Sequence, residues 1–390
     1  MSSGDPIHDL IHAYRAERAR CIAILARVLG DVDLAEDAVQ DAFVRAAERW
    51  PHDGVPRNPG AWIVATARNR AIDLVRRERT LNEKIALLEQ LPEAVDDAVP
   101  DERLGLIFAC CHPALPAEAR IALTLSLIAG LPTPEIARAF LVPEPTLAQR
   151  LVRAKRRIRD EGIALAVPAA PQLPERLADV LATMYLVFNA GYGPPVRELL
   201  CAEGLRLALL LATLMPDEAE AHGLHALLLL HDARRAARVR DNTLILLDDQ
   251  DRSLWDWDEI EQGRSALERA LALRAPGPYQ LQAAIAALHT EETTDWREIS
   301  VLYERLFALQ PSPVVALNRA VAVAMADGAE PGLELVDAIH GLEDYYLYHA
   351  TRADLLRRLG EPAADAYERA IALAPSDLER DFLRRRLLEH

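Results

Sequence analysis

The sequence has few aromatic residues, few cysteines and no long apolar run. Aromatic side chains make up 5% of the 390 residues, and four scattered cysteines (Cys21, Cys110, Cys111 and Cys201) do not make a disulfide framework. The N-terminal segment MSSGDPIHDL lacks the basic and apolar regions of a secretory signal. The uncharged stretch 121–134 is too short, and too interrupted by Gly and Pro, for the roughly 20 residues that cross a bilayer. We therefore expect a cytoplasmic protein with no membrane partner.

The composition is that of a folded, largely helical protein. Hydrophobic residues make up 51% and charged residues 27% of the chain, which excludes an intrinsically disordered protein. Ala and Leu dominate, and both lose little conformational freedom on entering a helix. At roughly 150 residues per domain, the length predicts two or three domains. We therefore expect an all-α fold.

The net charge of -16 is distributed unevenly. Residues 1–165 contain 22 basic and 24 acidic residues, a net charge of -2, whereas residues 166–390 contain 22 and 36, a net charge of -14. Within the first part, Gln149–Arg159 contains six cations and no acid, and Trp62–Lys84 contains six cations and three acids. Two local basic faces of this kind are suited to bind phosphates, although the whole chain is acidic.

Three segments rich in proline, glycine or acid interrupt the helical pattern. They are Trp50–Gly60 (WPHDGVPRNPG), 91–100 (LPEAVDDAVP) and 163–174 (IALAVPAAPQLP). The first is predicted to be a loop and the other two to be linkers. We therefore predict helical domains over 5–85 and 101–161, linkers over 86–100 and 162–174, and a C-terminal helical domain over 175–390.

The C-terminal part contains a degenerate repeat. Four amphipathic segments recur, with their last residues 35, 32 and 32 apart: 266–276 (ALERALALRAP), 302–311 (LYERLFALQP), 333–343 (LELVDAIHGLE) and 366–375 (AYERAIALAP). A helix pair that recurs every ~34 residues is typical of a tetratricopeptide-like solenoid, in which each pair buries its apolar face against the next. We predict such a solenoid, with 376–389 as its charged capping helix; an irregular helical bundle is the alternative. The acidic segment 241–257 does not follow the repeat.

The segment 132–158 (PTPEIARAFLVPEPTLAQRLVRAKRRI) has the pattern of a helix-turn-helix. A short helix over Thr133–Phe140 is followed by a turn and by a longer helix that begins near Glu144, with Pro145 in its first turn, where proline is tolerated. The second helix of this motif enters the major groove of DNA. Thr146, Gln149, Arg150 and Arg153 share its exposed face, and Gln and Arg can form bidentate contacts with adenine and guanine edges. The alternative is a solvated basic helix with no target.

Two further segments have amphipathic helical patterns. In 34–50 (LAEDAVQDAFVRAAERW) the inner stripe is predicted to be Leu34, Ala38 and Ala42, which leaves acidic and polar side chains outside. In 61–79 (AWIVATARNRAIDLVRRER) arginines surround the apolar stripe. Each segment alone is an ordinary surface helix.

Together with the helix-turn-helix, these segments resemble the sigma-70 family of bacterial RNA polymerase initiation factors, specifically the small extracytoplasmic-function (ECF) type. The resemblance covers about residues 7–160. The segments 188–192 (FNAGY), 246–256 (LLDDQDRSLWD) and 277–289 (GPYQLQAAIAALH) resemble the subgroup with a C-terminal tetratricopeptide-like extension. The resemblance implies an alternative sigma factor, not an enzyme, whose partners are core RNA polymerase and promoter DNA.

The resemblance also implies roles for individual residues. The motif that docks on the polymerase clamp helices is matched by Asp37, Gln40, Asp41 and Phe43. The loop 52–59 matches the one that captures a base flipped from the non-template strand, and the residues implied in −10 contacts are Arg57, Asn58, Arg68, Asn69, Arg76 and Arg77. Those implied in −35 contacts are Thr146, Gln149, Arg150, Arg153, Arg156 and Arg157.

Nothing else in the sequence indicates chemistry of its own. Cys110, Cys111 and His112 have no second pair of ligands at zinc spacing, so we expect buried cysteines, no metal and no cofactor. The charge of the C-terminal part favours binding of an unidentified protein, or masking of the two basic faces. Two alternatives remain: a helix-turn-helix regulator fused to a tetratricopeptide-like scaffold that never contacts polymerase, and a scaffold or enzyme that the N-terminal half merely targets.

Overall fold

The computed structural model describes residues 6–77, 88, 102–192, 196–240 and 243–388, with the side chains of 6–16 and 74–77 left out. These residues form eighteen helices and one two-stranded hairpin, and 76% of the structure is helical. The prediction of an all-α protein is therefore confirmed. The chain forms two compact units, 1–190 and 191–390, called here the N-terminal unit and the C-terminal unit. No described helix has the length and apolar character needed to cross a membrane.

The N-terminal unit begins with three long helices: α1 (Pro6–Leu29), α2 (Val32–Asp53) and α3 (Pro59–Arg77). Asp31 caps α2, since its carboxylate accepts hydrogen bonds from the backbone N–H groups of Asp33 and Leu34 at 2.9 and 3.2 Å. Ala38 and Ala42 are buried as the pattern predicted, but Leu34 remains partly exposed.

The loop predicted over Trp50–Gly60 is shorter than expected. Helix α2 continues through Pro51 to Asp53, so only residues 54–58 separate it from α3. Trp50 is buried, and its ring contacts that of Trp62 edge to face at 5.6 Å between centroids. Gly54, with φ of 83°, ends the helix by donating its N–H to the Trp50 carbonyl at 3.0 Å. Pro51 thus lies inside the last turn of α2, where it has no backbone N–H to donate.

The rest of the N-terminal unit carries the helix-turn-helix. Its helices are α4 (Arg103–Cys110), α5 (Ala117–Leu123), which continues as a π-turn over Thr124–Ile128, α6 (Thr133–Phe140), α7 (Glu144–Asp160) and α8 (Leu173–Tyr192). The bounds of α6 and the start of α7 agree with the prediction. The turn between them contains Leu141 in the left-handed conformation, with φ of 54°. Of the linker predicted over 86–100, only Leu88 lies within the described residues, and 161–172 contains no helix.

The C-terminal unit is a row of helix pairs. It begins with α9 (Glu198–Leu214) and α10 (Ala219–Asp232), then a hairpin in which β1 (Val239–Arg240) pairs antiparallel with β2 (Thr243–Leu244), and two 3-10 turns. The remaining helices are α11 (Trp257–Ala272), α12 (Pro278–Leu288), α13 (Trp296–Leu309), α14 (Pro313–Asp327), α15 (Ala329–Asp337), α16 (Tyr346–Leu359), α17 (Ala364–Leu373) and α18 (Asp377–Leu388).

Packing in this unit follows chain order. Most helices pack against their neighbours in sequence, whereas α12 packs mainly against α10, two helices earlier. The apolar interior is divided into successive clusters around Ile299, Val336 and Tyr367. This is the arrangement of a solenoid, in which stability accumulates from one repeat to the next. The segment that did not follow the repeat is where the hairpin and the 3-10 turns lie. The last helix, α18, contacts β2, and Arg385 donates a hydrogen bond to the Thr243 hydroxyl at 3.1 Å.

Candidate nucleic-acid interface

The second helix of the helix-turn-helix, α7, has one buried and one exposed face. Leu147, Leu151, Ala154 and Ile158 are buried at helical spacing. On the opposite face, Thr146, Gln149 and Arg153 are exposed and Arg150 is half-buried. Among the described residues, neither Arg150 nor Arg153 has an ion pair. The start of α7 therefore presents hydrogen-bonding side chains in one row, as a helix in the major groove does.

The cations further along α7 differ in their surroundings. Arg156 pairs with Asp160 at 3.1 Å and Arg157 with Glu161 at 2.7 Å, each one helical turn away and exposed to solvent. Exposed pairs of this type contribute little and are readily exchanged for a phosphate. Lys155 and Arg159 lie on another side and contact protein instead.

Lys155 and Arg159 bind the acidic start of α2. The Lys155 ammonium lies 2.6 Å from Glu36 Oε2 and 3.1 Å from Asp33 Oδ1, and Arg159 lies 3.3 Å from Asp31 Oδ2. Burial alone would lower the pKa of Lys155, but the charge and hydrogen bonds of Glu36 and Asp33 raise it above its ordinary value. In the sequence, both cations belong to the basic run Gln149–Arg159. The acidic run at 31–37 is the signal that could have assigned them to a contact with α2.

Glu36 also pairs with Arg18 of α1. The second arm of that guanidinium donates a hydrogen bond to the Ser126 carbonyl at 2.8 Å, in the π-turn after α5. Arg18, Glu36 and Lys155 thus form one partly buried network that joins α1, α2, α7 and the π-turn. A network of this kind orders long side chains and fixes the helices relative to one another.

The outward face of α2 contains only part of the set implied in polymerase docking. Asp37 and Gln40 are exposed. Burial and the nearby charges of Glu36 and Asp33 raise the pKa of Asp37. Asp41 is paired with Arg70 of α3, and Phe43 is buried inside the unit at 6% exposure. Asp37 and Gln40 are therefore the members of this set that a partner can reach directly.

The loop before α3 and the exposed side of α3 contain the residues implied in −10 contacts. Arg57, Asn58 and Asn69 are exposed, and Arg68 is half-buried. Asn58 has a structural role that the sequence analysis missed: its side-chain oxygen accepts a hydrogen bond from the Ala61 N–H at 2.9 Å and caps α3. The sequence Asn-Pro-Gly before a helical pattern was the signal that could have predicted this cap. Arg76 and Arg77 belong to α3, but their side chains lie outside the described residues.

Cys110 and Cys111 lie in the interior of the N-terminal unit. Both are fully buried, and burial raises the pKa of Cys111 to about 11. They therefore pack as small neutral side chains, in agreement with the interpretation from sequence.

This fold and this interface define a DNA-binding protein of the helix-turn-helix class, with a second basic helix and a helical C-terminal extension. Residues 13–80 match Sigma-70 region 2, residues 106–158 match Sigma-70, region 4, and residues 176–271 match a family of unknown function (DUF6596). The chain belongs to the sigma-70 family, as an ECF-type factor with a C-terminal extension. It directs RNA polymerase to promoters, as an alternative sigma factor, and its partners are core polymerase and promoter DNA. Sigma factors are non-enzymatic initiation factors.

Several proteins are similar in sequence to this chain, over most of its length or over part of it. An uncharacterized protein of Rhizobium meliloti (strain 1021) is 44% identical over 95% of this chain and 93% of its own length. A probable ECF RNA polymerase sigma factor, SigI, of Mycobacterium tuberculosis is 30% identical over 44% of this chain and 60% of its own length. The ECF RNA polymerase sigma factor SigW of Bacillus subtilis (strain 168) is 26% identical over 40% of this chain and 89% of its own length. No solved structure matches the chain significantly.

Proposed function

We propose that this sigma factor recognises the −35 element through the first half of α7. The observation that carries the proposal is the row formed by Thr146, Gln149, Arg150 and Arg153, opposite the buried face of that helix. Gln and Arg match the hydrogen-bonding edges of adenine and guanine, and the cations next to them neutralise phosphates. Arg156 and Arg157 lie further along α7, where backbone contacts position the helix without selecting sequence.

The −10 element is assigned to the loop 54–58 and to α3. Arg57 and Asn58 are exposed at the start of α3, and Asn69 is exposed on the helix itself. Removing a base from the stack costs a few kcal/mol, and contacts of cationic and amide groups with the melted strand recover a comparable amount. Arg68, Arg76 and Arg77 are assigned to the same strand by their positions in α3.

Core polymerase is assigned to the exposed face of α2, with Asp37 and Gln40 as the contacting residues. In this assignment Asp41 and Phe43 do not contact polymerase directly. Asp41 holds α2 against α3 through its ion pair with Arg70, and Phe43 stabilises α2 by packing in the interior. The polymerase carries the chemistry of RNA synthesis, so the chain itself catalyses no reaction. Because its partners are polymerase and DNA, it acts in the cytoplasm.

Binding to bacterial core RNA polymerase, followed by run-off transcription, tests these assignments. The Asp37→Ala/Gln40→Ala variant is expected to bind core at least about tenfold more weakly and to retain its thermal stability. Glu48→Ala removes another exposed side chain from α2 and is the control, with unchanged affinity. Promoter-specific DNA binding by a wild-type protein that does not bind core would favour the plain helix-turn-helix regulator instead.

The C-terminal unit is proposed to bind a protein. Residues 166–390 carry a net charge of -14, which repels DNA phosphates, and stacked helix pairs form extended surfaces that suit protein ligands. This assignment is independent of the two DNA-binding faces.

A further inference from the structure

The C-terminal unit contains a cavity of about 1290 Å³ where α10 ends and α11 begins. Its wall is completed by Glu198 at the start of α9 and by Leu378 of α18. Cavities that hold drug-sized ligands measure roughly 300–1,000 Å³. This one is larger and has room for a short segment of peptide.

The cavity contains more carboxylates than cations. Arg235 lies 3.1 Å from Asp232 and 3.5 Å from Glu198, and Glu259 has no ion pair among the described residues. Arg235 is the one cation among the described lining residues, whereas five carboxylates line the cavity: Glu198, Asp232, Asp256, Asp258 and Glu259. Asp256 is a helix cap, because its side chain accepts a hydrogen bond from the Glu259 N–H at 2.9 Å. Apart from this cap, the excess negative charge lies on Glu198, Asp232, Asp258 and Glu259.

The ionisation of Glu259 reflects this missing countercharge. Burial raises the pKa of Glu259 to about 7, and the charges of Asp232 and Asp256 add to the shift, while Arg235 opposes it. Burial also raises the pKa of Asp232. A cation that entered the cavity would lower both pKa values, and because the pKa of Glu259 is about 7, its binding would release a proton from Glu259 near neutral pH.

One aromatic face borders these acids. The Trp257 ring is 49% exposed, whereas Trp255 is buried beside it, with 5.7 Å between ring centroids. The guanidinium of Arg252 already lies over Trp255, at 4.8 Å from its centroid. Trp257 is therefore the tryptophan that offers a free face, and Arg and Lys side chains stack well on indole rings.

Trp255 and Leu254 also line the cavity. The Trp255 indole N–H is buried without a hydrogen-bond partner among the described residues, so a ligand in the cavity does not reach it unless the indole moves. Leu254, which is 47% exposed beside it, provides apolar surface for an aliphatic stem.

We propose that this cavity binds a basic segment of a partner protein. An Arg or Lys side chain lies along Trp257 and Leu254, and its charge pairs with Glu259 and Glu198. The inference specifies the protein contact proposed above for the C-terminal unit and rests on it. It does not depend on the DNA-binding faces.

Fluorescence anisotropy of the full-length protein with a labelled peptide of alternating Arg and Ala tests the proposal. The Glu198→Gln/Glu259→Gln variant keeps the pair between Asp232 and Arg235 and is expected to bind at least about tenfold more weakly. Glu292→Gln/Glu368→Gln neutralises two exposed glutamates away from the cavity and is the matched control, expected to bind within about twofold of wild type. Trp257→Ala weakens binding, and Trp257→Phe restores part of it.

Three results would overturn the proposal. One is equal weakening by the cavity variant and the matched control, which would show general charge attraction. Another is equal binding of arginine amide at the same guanidinium concentration, which would indicate a site for small cations. The third is equal binding of a Glu-Ala peptide. Thermal melts confirm that each variant is folded, and core-polymerase binding by the same variants stays at the wild-type level. A wild-type protein that bound the peptide but not polymerase would disprove the sigma assignments alone.

Discussion

The ammonium of Lys155 lies 2.6 Å from Glu36 Oε2, although 119 residues separate the two in sequence. Lys155 belongs to the helix assigned to the −35 element, and Glu36 lies one position before Asp37 on the helix assigned to core polymerase. The side chains are 13% and 16% exposed, so the pair is largely removed from water. Within the N-terminal unit, the two functional helices are thus joined by a charged contact.

We expect Glu36→Gln to lower the free energy of unfolding by about 1–3 kcal/mol, because it leaves Arg18 and Lys155 partly buried without their shared carboxylate. Urea denaturation of the full-length protein, followed on the N-terminal transition, measures this change. Asp160→Asn breaks the exposed pair with Arg156 and should change the stability by less than about 0.5 kcal/mol. Equal effects of the two substitutions would show that the network around Glu36 contributes no special stability.

Asn58 is expected to have two roles that substitutions can separate. Asn58→Ala removes the cap of α3 and should destabilise the protein by about 1 kcal/mol. Asn58→Asp retains an oxygen for the Ala61 N–H and should retain stability, but it loses the amide donor and adds a negative charge next to the melted strand. Permanganate footprinting of the promoter complex should then show less melting with Asn58→Asp. Normal melting at normal stability would restrict Asn58 to its capping role.

Substitutions at the two ends of α7 should separate sequence specificity from general affinity for DNA. Gln149→Ala should cost about 1–3 kcal/mol for the preferred −35 sequence and little for a scrambled one, because a base-edge contact is lost. Arg156→Ala should weaken both by a similar factor and reduce the salt slope of log Kd by about 1, because a phosphate contact is lost. Filter binding at several salt concentrations measures both effects.

The control for this series is Arg297→Ala, which removes an exposed cation from the C-terminal unit and should leave both quantities unchanged. Loss of sequence preference in Arg156→Ala, or its retention in Gln149→Ala, would contradict the orientation assigned to α7.

Stability of the C-terminal unit should depend on the protonation of Glu259. Its pKa of about 7 in the folded state is above the ordinary 4.5, so the folded state favours the protonated form. The stabilisation of the folded state by protonated Glu259 is fully present below pH 4.5, the ordinary pKa. It is lost as the pH rises through about 7, the pKa in the folded state. Asp232 and Asp256 face this carboxyl and strengthen the effect, and Arg235 weakens it.

Glu259→Gln should therefore raise the melting temperature at about pH 8 and change it little at about pH 4 to 5. Calorimetry over this pH range measures the difference. Glu292→Gln, at an exposed position, should show no such trend. A gain for Glu259→Gln that is independent of pH would show that the substitution acts through packing instead.

Much of the fold follows from local patterns. The bounds of α6 and the start of α7 were predicted because proline and apolar spacing define them within a few residues. The helix pairs after residue 257 were predicted for the same reason. The end of α2 was misplaced, because proline usually ends a helix and the burial of Trp50 against Trp62 involves a second helix. The resemblance implied Phe43 in polymerase docking, and that role stays a prediction; packing against the rest of the N-terminal unit buries its side chain.

The sequence by itself determined the helical class, the order of the segments and the row of side chains at the start of α7, since helical periodicity and turn chemistry act over a few residues. Only the tertiary structure decided that Lys155 and Arg159 bind α2, that Asn58 caps α3, and that acids from α9, α10 and α11 surround one cavity. These contacts depend on the free energy of burying charges and side chains that lie far apart in sequence, and periodicity carries no information about that energy.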